Sequence, residues 1–148
     1  MKILINLIVC VMLLIACSEA PPEHVSLEFR AASPEPAEGL AEMKTEGSNE
    51  VFYLHNEVLL SNADVESARV TQGQYGPQIE LVLTAAGGTK FAEATKNNID
   101  KNIGMVIDGK LMSAPLVRRE ITDGRAIVIG KWTEKEADRI ALGILVEK

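Results

Sequence analysis

Apolar and polar residues alternate from Val25 to Arg30. Val25, Leu27 and Phe29 fall on one face, and Ser26, Glu28 and Arg30 on the other, the two-residue period of a half-buried strand. The next stretch, 31–50, loses that order. It is acidic, carries Pro34, Pro36, Gly39 and Gly47, and predicts a long acidic loop with at most one helical turn near Leu40 to Lys44. "VFYLHNEVLL" (51–60) restores one or two short strands. Ser61 to Asp64 has the spacing of a capping box and predicts a short helix through Ala68. Val70 to Leu83 reads as a hairpin, with Gly73 to Pro77 in its turn and Ile79, Leu81 and Leu83 sharing a face.

Gly87-Gly88 are expected to break that strand. A helix is then predicted from about Thr89 to Asn98, with Phe91, Ala94, Thr95 and Ile99 at helical spacing. "NIGMVID" is the next strand, Asp108-Gly109 a tight turn, and "KLMSAPLV" the return, which Pro115 demotes to an edge or a bulge. "GRAIVIG" is a further strand. Thr133 to Glu136 form a second capping box, opening a helix whose Ala137, Ile140, Ala141, Ile144 and Leu145 make one apolar stripe. These elements predict an α+β domain over 25–148: a mainly antiparallel sheet with two principal amphipathic helices packed on one face.

The first residues change where this domain is expected to sit. Lys2 precedes about a dozen mostly apolar residues, a length suited to an export signal rather than a membrane span. Leu14-Ile15-Ala16-Cys17 resembles a bacterial lipobox, which makes 1–16 the expected lipoprotein signal peptide. Cys17 is then the expected lipid attachment site and 17–24 a proline-bearing tether. Cleavage there would leave 132 residues, with 14 basic against 21 acidic groups and a net charge of −7. That balance argues against nucleic acid and against electrostatic adhesion to anionic lipid, so membrane association is expected through the lipid anchor only. Cys10 and Cys17 are the only cysteines, so no thiol would remain for a disulfide or a metal. Ser18 after the cysteine points to the outer membrane, facing the periplasm, in a Gram-negative cell.

Candidate chemistry is sparse. Ser113 follows closely on Asp108, but a serine nucleophile needs a base, and His24 and His55 are the only histidines. One lies in the tether and the other at a strand end. Asp108 and Asp123 each precede a glycine, which tight turns explain, and neither they nor Asp100 form a ligand cluster. No phosphate-binding glycine motif occurs, and no cofactor, metal or catalytic residue is implied. Of the six aromatic residues, Phe29 and Phe91 fit core positions, while Tyr53, Tyr75 and Trp132 form a candidate binding surface for extended polypeptide.

The second half of the chain resembles the head subdomain of the first periplasmic region of SecD and SecDF, membrane components that assist protein export. The resemblance rests on Phe91, Thr95, Asn98, Asp108-Gly109, Ser113-Ala114-Pro115, Ile121, Gly124, Ala126, Ile129, Gly130, Thr133 and Ala137. "LEFR" and "LLSNADVESARV" are similar as well. Two positions depart from the family pattern: Asp100 stands where a glycine is usual, and Trp132 where a phenylalanine is. The resemblance implies a non-enzymatic module that binds unfolded polypeptide or Sec-related membrane components. Its alternative is a structural or regulatory lipoprotein that contacts a membrane complex without touching export clients. Proton-driven work, which the family assigns to its membrane bundle, is not implied.

Overall fold

A computed structural model describes residues 20–146. The expected signal segment and Cys17 lie outside the described residues. Among the described residues nine strands and two helices follow in the order β1 (Leu27–Ser33), β2 (Ala41–Lys44), β3 (Val51–Leu54), β4 (Leu60–Ser61), β5 (Val65–Gly73), β6 (Gly76–Leu83), α1 (Ala85–Asn97), β7 (Asn102–Ile107), β8 (Lys110–Ser113), β9 (Arg125–Ile129) and α2 (Glu134–Ile144). Every strand pairing is antiparallel. The α+β class with two helices is as expected, but the strands divide into two sheets. One runs β2-β3-β1-β7-β8, with β4 also paired to β1, and the other runs β5-β6-β9.

β7 explains the division. Its run Ile103 to Ile107 is buried throughout, because core lies on both of its faces. Ile103, Met105 and Ile107 point into the main core with Leu27 and Phe29 of β1. Val106 points the other way, into a smaller core with Ala32, Leu54 and Leu111. The first sheet curls around that smaller core until Glu46, just past β2, donates its N–H to the Leu111 carbonyl on β8 (2.8 Å). The main core is completed by Ile79, Leu81 and Leu83 of β6, Ala126 and Val128 of β9, Phe91 of α1 and Ala137, Ile140, Ala141 and Ile144 of the α2 stripe, whereas Leu145, expected in that stripe, is exposed at the helix C-cap. Each isoleucine of that stripe contributes about 1.5–3 kcal/mol on burial.

Several local expectations change. The stretch 31–50, expected as a long acidic loop, contains the end of β1 and the strand β2, which pairs with β3 from Ala41–Leu54 to Lys44–Val51. The turn expected near Leu40 to Lys44 is therefore a strand, because ladder partners override the local helix preference of Ala-Glu-Met-Lys. The helix expected from Ser61 to Ala68 is a single 3-10 turn, Asn62–Asp64. Ser61 N–H does donate to the Asp64 carboxylate (3.0 Å), but Val65 already belongs to β5, paired opposite Leu83.

Helix α1 begins earlier than expected, at Ala85, because Thr84 caps it by accepting from Gly87 N–H (3.0 Å). Gly87 and Gly88 lie within its first turn. Gly87 is there for close approach: a Cβ would meet the Asp64 carbonyl and Cβ. In α2 the capping box forms as expected, with Thr133 N–H donating to Glu136 (2.7 Å). That bond, followed by the one from the Thr133 hydroxyl, holds the Glu136 carboxyl below its usual range. The stabilisation is present above the ordinary carboxylate range and is lost as pH falls through the lowered value.

Candidate binding cleft

The segment after β8 is set by proline and by turns. β8 contains an irregularity at Met112, so that Val106 pairs with Leu111 and Met105 with Ser113. Pro115 ends the regular ladder. The chain stays beside β7 all the same: Ile103 N–H donates to Pro115 O (3.2 Å), and Val117 N–H to Lys101 O (2.8 Å). Residues 118–124 then cross to β9 and are pinned from below by α1. Thr95, 1% exposed, donates its hydroxyl to Phe91 O (2.8 Å) and accepts from Ile121 N–H (2.9 Å).

A cleft of about 530 Å3 opens between this crossing segment and β9. Pro115, Leu116 and Ile121 form one wall, Ile127 and Ile129 the other, and Ile103, Met105 and Phe91 the base. Charges sit at the rim, where Arg125 pairs with Glu80 (2.7 Å) and Arg118 and Arg119 are exposed. The volume lies in the range of ligand sites, about 300–1,000 Å3, and the lining is mainly apolar. Removing the pin should open the cleft. Thr95→Val keeps the volume but strands Ile121 N–H, and should cost about 1–3 kcal/mol. Hydrogen exchange at the Ile121 amide should accelerate beyond that of α1; unchanged exchange there would assign the wall's order to other contacts.

A larger cleft of about 870 Å3 lies on the other side of α1, lined among others by Glu28, His55, Glu57, Asp64, Lys90 and Glu93. Two of its carboxylates are already paired, Asp64 with Lys90 (2.7 Å) and Glu28 with Arg30 (2.7 Å). Among the described residues no group of histidine, cysteine and carboxylate side chains is placed to hold a metal ion.

The three aromatic candidates do not form one surface. Tyr75 is 85% exposed at the tip of the β5–β6 turn. Trp132 follows β9, packs its ring over Gly130 and donates its indole N–H to Pro77 O (2.8 Å), so it shares the Tyr75 end of the second sheet. Tyr53 is half-buried in β3 of the other sheet, opposite Ser33 and Glu42. Ile127, Leu116 and the arginine pair were not singled out in the sequence, and Ile129 entered only as a position of the family resemblance, although an apolar Ile-Val-Ile run beside turn residues was there to see.

The remaining family-type positions have structural placements. Asp108 (φ 47) and Gly109 (φ 76) make the β7–β8 turn, and the Asp108 carboxylate accepts from Ser26 N–H (2.8 Å). Ser113 directs its hydroxyl to the Met105 sulfur (3.7 Å), and Asn102 donates its side-chain amide to Ala114 O (2.7 Å). Gly124 has φ 68 in the turn before β9. Asp100, which replaces the usual glycine, has φ 61, a left-handed conformation that aspartate tolerates better than most side chains. His24 and His55 lie apart from Ser113: His24 Nδ1 contacts Val146 O (2.7 Å), and His55 lines the polar cleft.

Two antiparallel sheets around a shared core, with an apolar cleft beside an open strand, define a small α+β head-type domain. Residues 38–145 match the model of the SecDF P1 head subdomain, and the chain belongs to that family. It is 42% identical over 85 residues to the protein translocase subunit SecDF of Thermus thermophilus, covering 57% of this chain and 12% of that protein. With the protein translocase subunit SecD of Elusimicrobium minutum it shares 39% identity over 93 residues, 61% of this chain and 19% of that one. Among solved structures, SecDF in a super-membrane-facing form superposes with TM-score 0.69 and 31% identity, over 84% of this chain and 19% of that chain. A second, described as a membrane component SecDF that enhances protein export, gives TM-score 0.66 and 30% identity, over 84% and 63%. Among the described residues no helix is long and apolar enough to cross a membrane.

Proposed function

We propose that this chain is a lipid-anchored protein of the cell envelope whose head domain binds extended polypeptide in connection with protein export, without catalysing a reaction. The observation that carries the reading is the apolar cleft along β9, wide enough for a few side chains and bordered by the edge of β9 that no strand pairs with among the described residues. Kinship with protein translocase subunits supports export chains or Sec components as the class of partner.

Titrating the full chain, kept in mild detergent, with an unfolded exported protein should give a dissociation constant in the micromolar class, about −8 kcal/mol. The single tryptophan, Trp132, supplies an intrinsic signal at the end of β9. No binding by a chain whose circular dichroism is native would overturn the client role. Crosslinking in cells then separates a spread of exported proteins from one fixed membrane partner, the mark of a structural or regulatory lipoprotein. The anchor is tested separately: Cys17→Ala should abolish acyl labelling and release the protein from membranes, whereas persistent labelling would remove Cys17 from that role.

A further inference from the structure

The edge of β9 specifies how a polypeptide would lie in the cleft. Val128 pairs with Ile79 and Ala126 with Leu81, and Leu83 N–H donates to Gly124 O (2.9 Å) on that same side. Because an antiparallel ladder alternates, the N–H and C=O groups of Arg125, Ile127 and Ile129 point away from β6; Arg125 N–H is taken by the Asp123 carboxylate (3.1 Å), so the edge is that of Ile127 and Ile129. Among the described residues no strand pairs with this edge. Folded proteins usually blunt such an edge with charge, proline or a cover. Here it reads Ile127-Val128-Ile129, with Ile129 46% exposed, and it opens onto the cleft.

Charge narrows the occupant further. Arg125 is already engaged by Glu80, but Arg118 and Arg119 have no ion-pair partner among the described residues. An unpaired cationic pair beside an apolar edge, in a chain of net charge −6, is complementary to an acidic partner. A second copy of this chain paired edge to edge would set its own arginines against these. We infer that β9 takes an extended polypeptide as a fourth strand of its sheet, and that the preferred segment has alternating apolar residues with a flanking carboxylate for Arg118 and Arg119. This rests on the cleft-binding reading and supplies its mode: backbone pairing for affinity, alternate side chains for fit and charge for selection.

Three peptides with one alternating valine–threonine core test it against the full chain. The first is flanked by glutamates, the second by lysines, and the third keeps the glutamates but has alternate amides N-methylated, which removes donors without touching the protein. The glutamate peptide should bind tightest. The lysine and N-methylated peptides should each be weaker by about tenfold or more, since the latter loses several backbone hydrogen bonds. Arg118→Glu combined with Arg119→Glu should reverse the charge preference. Equal binding of all three peptides overturns strand addition and charge selection while cleft binding stands. Binding by none, with Trp132 fluorescence native, overturns both, and a dimer that excludes the peptides overturns the choice of occupant.

Discussion

Asn62→Leu should lower the unfolding free energy by about 3 kcal/mol, because one side chain closes three hydrogen bonds between distant parts of the chain. Its Oδ1 accepts from Leu27 N–H (2.8 Å), and its Nδ2 donates to Val25 O and to Ile144 O (both 2.8 Å). The start of β1 and the end of α2 are thereby tied to the 3-10 turn. Leucine keeps most of the volume and leaves three backbone groups without that partner. Asn62→Asp should be at least as damaging, since a second acceptor would then face two carbonyls. Urea titrations with unchanged slope would measure both losses. A cost below about 1 kcal/mol for both variants would mean that water replaces the side chain.

Phe29→Ala should cost about 3–5 kcal/mol, at the upper end for a core truncation. Phe29 is 0% exposed and its ring centroid lies 5.8 Å from that of Phe91, tilted by 57°, a favourable aromatic geometry. The cavity would form directly behind the base of the cleft, so Phe91 should sag and peptide affinity should fall with stability. Leu111→Ala offers the contrast. It empties the smaller core on the other face of β7, at about 2–5 kcal/mol, and should leave peptide affinity unchanged. Equal loss of affinity in both variants would show that the cleft responds to global stability rather than to its own base.

Elements with a strong local pattern were legible in the sequence. The α2 stripe up to Ile144 and its capping box, the alternation that starts β1, and the buried run of β7 ending at Asp108-Gly109 all appear where they were expected; Leu145 alone of the stripe falls outside the core. Elements decided by distant partners were not. β2 exists because β3 pairs with it, and the helix expected after Ser61 stops because Val65 is captured opposite Leu83. Gly87-Gly88 looked like punctuation, yet Gly87 is where a helix presses against the Asp64 backbone. The cleft was harder still, since its base and walls come from residues between Phe91 and Ile129 that only the sheet topology assembles. Aromatic content pointed to Tyr53, which lies in the other sheet, whereas the open edge depends on strand order, which no local window contains.

The junction at Asn62 also bears on how such a domain travels between proteins. Val25 N–H donates to Gly143 O (2.9 Å) and His24 meets Val146 O, so the chain enters and leaves the fold at one place. A unit with adjacent entry and exit can be inserted into a surface loop of a larger protein without prising its host apart. The same geometry suits it to hang from a single flexible leash. In either setting, tension applied to the two ends would pull on the few bonds around Asn62 and spare the β9 edge on the far side of the strand order.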